Sequence, residues 1–200
     1  MKRLALAVLL LPSLALAEAA TWNIDPAHTQ ATFTVRHMVI SNVKGEFQST
    51  KGVVKIDDKD LAKSMVDVTI DAASIHTRED KRDAHLRSPD FFDVERYPTI
   101  TFKSTKVEKA GGDRYKVTGD LTMHGVTKPV VLDAALTPQV KGMMGEVRRG
   151  AQATTRVNRQ DYGLKWNKTI EAGPLVGDDV AIEINAELIK AQADGKTARN

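Results

Sequence analysis

Apolar residues recur at every second position in block after block of this chain, the period of a strand with one buried face. Phe33, Val35 and His37 alternate with Thr32, Thr34 and Arg36; Val66, Val68 and Ile70 alternate with Asp67 and Thr69; Ile100 and Phe102 alternate with Thr99, Thr101 and Lys103. The same period runs through Tyr115, Val117, Gly119, Leu121 and Met123, then Val130, Leu132, Ala134 and Leu136, and last Val180, Ile182, Ile184, Ala186 and Leu188. Weaker alternation covers Lys44 to Ile56 and Glu146 to Val157. About eight strands result, most joined by short turns such as His124-Gly125-Val126. So many single-faced strands in one domain predict an all-β protein, its antiparallel sheet closed into a barrel or folded into a sandwich.

Two stretches break the period. From Arg78 to Phe92 the chain is rich in charge and then carries Leu86, Phe91 and Phe92. This predicts one short helical connection whose apolar end caps a barrel mouth. Its basic residues Arg78, Lys81, Arg82 and Arg87 are interleaved with Glu79, Asp80, Asp83 and Asp90, which favours a solvated, self-compensated face over an anion site. The second exception is the N-terminus, where Met1-Lys2-Arg3 precedes the uncharged run Leu4 to Leu11, then Pro12-Ser13 and Ala15-Leu16-Ala17. That order reads as a secretory signal peptide over 1–17. Its apolar run is too short for a bilayer span of roughly 20 residues, so no stable membrane insertion is expected. The domain then covers 18–190, followed by a polar tail, 191–200.

Charge alters little. The chain has 29 basic and 26 acidic residues; once Lys2 and Arg3 leave with the signal, the balance is close to neutral. Such a surface exerts little pull on a phosphate backbone, so nucleic acid is not expected as a partner. Cysteine is absent, which excludes thiol catalysis, zinc-thiolate sites, disulfides and a lipoprotein anchor. No nucleophile elbow, His-Glu-x-x-His pair or phosphate loop is present. The five histidines, His28, His37, His76, His85 and His124, form no close pair, so neither metal nor cofactor is predicted. His28 reads as a turn residue beside Asp25-Pro26. His37 differs: it continues the inward phase of Phe33 and Val35 and would place a polar group at a barrel mouth. The aromatic set that includes Phe33, Phe91, Phe92 and Phe102 serves equally as pocket lining or as ordinary core.

Successive motifs carry a resemblance. Asp25-Pro26-Ala27-His28-Thr29, Phe33-Thr34-Val35-Arg36-His37, Gly45-Glu46-Phe47, the run from Arg82 to Asp93, Tyr97-Pro98 and the run from Gly119 to Val130 are similar, in order and spacing, to those of the YceI-like family of polyisoprenoid-binding proteins. Asn158 to Gly163 and Val176 to Val180 resemble its last motifs. Thr29 departs from the more usual Ser but keeps the hydroxyl.

The resemblance implies an antiparallel, lipocalin-like β-barrel, periplasmic, holding a long-chain isoprenoid, a quinone-like lipid or another amphiphile, and no catalysis. Phe33, Val35, Phe91, Phe92, Phe102, Leu121 and Leu132 are then the expected lining, with His37 and Arg82 as head-group contacts. A barrel without a specific ligand, and a hydrolase or isomerase acting on a lipid, are the alternatives. A homodimer stays open.

Overall fold

A computed structural model describes residues 19–192. The signal peptide and most of the polar tail expected from the sequence lie outside those residues.

Eight long strands form the wall: β1 (Ala20–His37), β3 (Thr50–Ile56), β4 (Met65–Asp71), β6 (Thr99–Gly111), β7 (Arg114–Met123), β8 (Val126–Leu136), β10 (Val147–Asn158) and β13 (Val176–Lys190). Outside this ring lie β2 (Ser41–Phe47) and the two-residue strands β5 (Ile75–His76), β9 (Val140–Lys141), β11 (Thr169–Ile170) and β12 (Gly173–Pro174). The single α-helix of the described residues is α1 (Asp80–Arg87). Neighbours run β13-β10-β8-β7-β6-β4-β3-β1, every pairing is antiparallel, and β1 pairs β13 to close the ring. Closure removes the unpaired edges that an open sheet of this size would expose.

The inward phase read from the alternation is the phase of the structure. Val66, Val68, Ile70, Ile100, Phe102, Tyr115, Val117, Leu121, Met123, Val130, Leu132, Ala134 and Leu136 all face the interior, as do the even-numbered residues from Val180 to Leu188. Gly119 falls in the same phase and leaves its space to Phe102, whose ring would lie 2.5 Å from an added Cβ. Glycine is required there by that close approach. The turn between β7 and β8 has two residues, His124 (φ 51°) and Gly125 (φ 73°). Positive φ at both positions is what a tight right-twisted hairpin demands. His124 holds the strained conformation because its Nδ1 lies 3.1 Å from the Tyr162 carbonyl oxygen and its ring packs on Tyr97 at 4.7 Å.

Three local features differ from the sequence reading. First, the weak segment from Lys44 to Ile56 belongs to two strands, β2 and β3, which turn at Gln48-Ser49. Second, His28 lies within β1 in a large bulge. Register against β13 jumps from Asp25↔Glu187 to Gln30↔Asn185, so Pro26 to Thr29 oppose Ala186 alone. Pro26 has no N–H for the ladder, the Asp25 carboxylate accepts from the Ala27 amide at 3.1 Å, and the Thr29 hydroxyl donates to the Asp25 carbonyl at 2.7 Å. Across this bulge β1 exchanges its second neighbour, pairing β3 before it and β2 after it. Third, the helix is shorter than the charged segment. The Glu79 carboxylate caps the Lys81 and Arg82 amides and Ser88 ends it, with Asp80 and Asp83 in the first turn and Arg87 in the last, as the helix dipole favours.

Candidate ligand-binding site

Alternation on eight closed strands leaves a space along the barrel axis. A cavity of about 280 Å³ runs from Ile56, Leu61 and Leu188 at one end to Leu86, Phe91 and Leu164 at the other. Its exposed surface is almost wholly carbon. Among the described residues its wall carries no histidine and no carboxylate, and its only charged side chains are Lys55 and Arg159. Pockets for small ligands usually begin near 300 Å³, so the space suits a slender chain.

The two ends are built differently. At the tryptophan end, Trp22 (1 % exposed), Ile56 and Leu188 pack together as an apolar floor. The Arg149 guanidinium and the Lys190 ammonium stand 5.5 and 5.8 Å from the Trp22 ring centroid, which covers the indole with cations.

At the helix end, α1 and the chain that follows it close over the barrel. Phe92 meets Phe47 edge to face at 5.6 Å, and Phe47 in turn contacts Phe33 at 5.8 Å. Asp83 (2 % exposed) fixes the helix by accepting from the Thr77 amide at 2.8 Å and the Thr77 hydroxyl at 2.5 Å, with His76 Nδ1 at 3.2 Å. Burial pushes its carboxyl pKa up, but these hydrogen bonds from Thr77 and His76 outweigh it and leave the group below the usual carboxylate range. Arg87 adds bonds to the carbonyls of Ala73 (2.8 Å) and Ile75 (2.7 Å).

Beside the helix, residues 159–175 fold over the same end and are gathered by Arg159, itself 4 % exposed. Its Nε donates to the Gly177 carbonyl, Nη1 to those of Leu164 and Trp166, and Nη2 to that of Val176 and to Asp178 Oδ1. A guanidinium has five N–H donors, and all five are used.

Of the nine residues singled out in the sequence, Phe33, Val35, Phe91, Phe92, Phe102, Leu121 and Leu132 line the cavity. His37 and Arg82 are not on its wall. His37 is the last residue of β1, opposite Ser41 and Val176, and lies past a register shift against β13 that separates it from Val35. Arg82 donates through Nε to the Thr77 hydroxyl and through Nη2 to the Thr77 carbonyl, both at 2.7 Å. The solvated face expected of the helical segment holds for Arg78, Glu79, Asp80, Lys81 and Asp90, which are exposed, but not for Asp83, which is buried, or for Arg82 and Arg87, which are tied to the backbone of the β4–β5 region. Sequence reasoning missed Arg159, although its motif had been noted, because nothing local tells a buried arginine from an exposed one.

A second cluster lies on the outer wall. Asp25, His28 and Glu187 present ligand atoms within 4.8 Å of one another. Arg148 Nη1 sits 2.7 Å from Asp25 Oδ2 and 2.8 Å from Glu187 Oε2, so a guanidinium already occupies the position between the carboxylates. Hydrogen bonds from His28 and Arg148 bring the Asp25 carboxyl down to about 2. The arrangement is an ion-pair network that ties the β1 bulge to β10 and β13.

The family model described as a YceI-like domain matches residues 22–188. The chain belongs to the YceI-like family. A UPF0312 protein of Vibrio parahaemolyticus is 37 % identical over 178 residues, 87 % of this chain and 89 % of that protein. The crystal structure of the Campylobacter jejuni YceI protein is 35 % identical and superposes with a TM-score of 0.67, over 78 % of this chain and 90 % of that one. The fold alone is shared with a polyisoprenoid-binding domain from Saccharophagus degradans, 16 % identical, TM-score 0.65, over 87 % of this chain and 100 % of that one. The YceI-like match spans every strand of the barrel wall and both ends of the cavity.

Proposed function

We propose that this YceI-like protein is a periplasmic carrier that holds one long apolar chain, of the isoprenoid or isoprenoid-quinone type, inside its barrel. The observation that carries this reading is the continuous carbon-lined cavity along the barrel axis. Removing a methylene from water contributes roughly 0.8 kcal/mol, so a chain of several isoprene units binds without directional contacts. A densely packed core would leave no such space, which weighs against a purely structural barrel. The Saccharophagus degradans domain, described as polyisoprenoid-binding, shares the fold and supports an isoprenoid as the occupant. The N-terminal signal-like segment supports export to the periplasm.

The reading is carriage, not turnover, because general acid–base chemistry needs a titratable group within reach of the reacting atoms. Among the described residues the cavity wall offers no histidine or carboxylate and its exposed surface is almost wholly carbon; the Lys55 side chain is exposed to solvent, and the Arg159 donors are spent on backbone carbonyls and Asp178. Binding of a polyprenol series of increasing length, measured by displacement of a fluorescent fatty-chain probe, should show affinity climbing with length and then levelling off once the cavity is full. Length-independent affinity, or recovery of a chemically altered ligand, would overturn this reading.

A further inference from the structure

Among the large apolar side chains that the described residues leave exposed, three are consecutive: Met38 (37 %), Val39 (47 %) and Ile40 (74 %). They form the tip of the hairpin between β1 and β2, where the Ile40 amide donates to the His37 carbonyl at 3.2 Å. The two central residues of that turn, Met38 (φ 51°) and Val39 (φ 64°), are both left-handed. Positive φ at both positions favours Asn followed by Gly, and a β-branched residue such as valine is disfavoured there most of all. The chain thus holds apolar side chains in water where the backbone itself disfavours them. Nothing inside the fold is gained by it, so the explanation lies in what the tip meets.

The tip stands at the helix end of the barrel. The Met38 amide donates to the Leu175 carbonyl at 2.8 Å, and a Cβ on Gly173 would lie 3.6 Å from Val39 Cγ2, so the hairpin abuts the segment 159–175 that folds over the cavity. Val35, three residues before Met38, and Val176, opposite His37, are on the cavity wall. The Arg36 guanidinium fixes the tip by donating to the Val39 carbonyl at 3.0 Å and to Asn42 Oδ1 at 3.3 Å. The two strips of chain that adjoin the tip, 36–45 and 163–170, carry the exposed cations Arg36, Lys44, Lys165 and Lys168, and no acid before Glu46 and Glu171. Among the described residues none of the four is in a salt bridge.

An apolar tip flanked by unpaired cations is complementary to a bilayer with anionic head groups, since the side chains enter the head-group boundary while the cations stay at its surface. We infer that the β1–β2 hairpin docks the barrel reversibly on an anionic lipid surface, with Met38, Val39 and Ile40 inserted and the helix end turned toward the bilayer. The choice of a bilayer rests on the carrier reading, because a long apolar chain resides in a membrane before it is carried. A second exposed group, Val140, Met143 and Met144, precedes β10 at the tryptophan end. There the left-handed turn position is taken by Gly145 (φ 88°), so those methionines carry no backbone cost and serve as the control.

Sedimentation with vesicles of phosphatidylethanolamine and phosphatidylglycerol is measured for wild type, Met38→Asn/Val39→Gly and Met143→Ser/Met144→Ser, with displacement of the fluorescent fatty-chain probe measured alongside in the absence of vesicles. Wild type should bind these vesicles, and bind less to phosphatidylcholine alone or in high salt. Met38→Asn/Val39→Gly should weaken vesicle binding about tenfold yet unfold at the same or a higher temperature, because the turn then has the residues its φ angles favour. Its probe displacement should be unchanged, and Met143→Ser/Met144→Ser should sediment as wild type does. No sedimentation of wild type, equal binding to phosphatidylcholine, equal binding by Met38→Asn/Val39→Gly, or an equal loss in Met143→Ser/Met144→Ser would overturn the inference while leaving the carrier reading standing. A wild-type dimer that only Met38→Asn/Val39→Gly dissociates, without vesicle binding, would overturn it by giving the patch to a second copy of the chain. If wild type takes up no probe, the carrier reading falls, and the vesicle result still decides the docking.

Discussion

The two ends of the barrel close by opposite means. At the tryptophan end the closure is apolar packing between residues of the wall itself: Trp22, Ile56 and Leu188 belong to β1, β3 and β13. At the helix end two segments outside the wall are held down by buried polar groups, Asp83 on Thr77 and His76, and Arg159 on four carbonyls and Asp178. Packing of wall residues cannot be undone without loosening the strands, whereas a stapled segment can open while the wall persists. The difference makes the tryptophan end the one tied to the stability of the wall and the helix end the one that can open without it; in the carrier reading proposed above, the ligand would pass there.

The comparison is broken or sharpened most strongly at Trp22. Trp22→Ala should cost about 3–5 kcal/mol, read as a lower urea midpoint and faster hydrogen exchange throughout the wall. Asp83→Ala should cost less, about 1–3 kcal/mol, with faster exchange concentrated at residues 76–94 and quicker release of bound ligand. If Asp83→Ala loosens β13 as much as β5 and α1, the two ends are not independent and the comparison fails.

Smaller still is the effect of acid on the outer wall. The Asp25 carboxyl titrates at about 2 in the fold against an ordinary 3.8. Its folded-state pKa is depressed, so the stability it contributes is present above the unfolded value and is lost as pH falls toward about 2. Asp25→Asn should remove that part of the acid dependence, visible as a shallower fall in midpoint between pH 4 and pH 2. An unchanged slope would show that the Asp25–Arg148 pair does not hold the bulge.

The sequence was most legible where structure follows from local alternation. Every strong strand, from Val66 through Leu188, has its inward face where period two puts it, and seven of the nine proposed site residues therefore reach the cavity. His37 shares the sequence phase of Phe33 and Val35 but follows a register shift against β13, and such a shift leaves no trace in the alternation of residue types. Arg82, Arg87 and Arg159 were illegible for another reason. Most of their partners are backbone carbonyls, from Ala73 to Gly177, and a carbonyl leaves no signature in the residue types. The bulge at Pro26 to Thr29 was visible as turn chemistry, yet only the register against β13 shows that the strand continues through it.

The account stands or falls on one chain occupying the barrel. Native mass spectrometry of the purified protein, loaded with a polyprenol and freed of detergent, tests this directly. The account predicts a single added mass equal to one polyprenol, which disappears when Leu132→Asp places a carboxylate in the cavity wall of a still-folded barrel. A spectrum of unliganded protein alone, or several lipids retained equally by wild type and by folded Leu132→Asp, would contradict it.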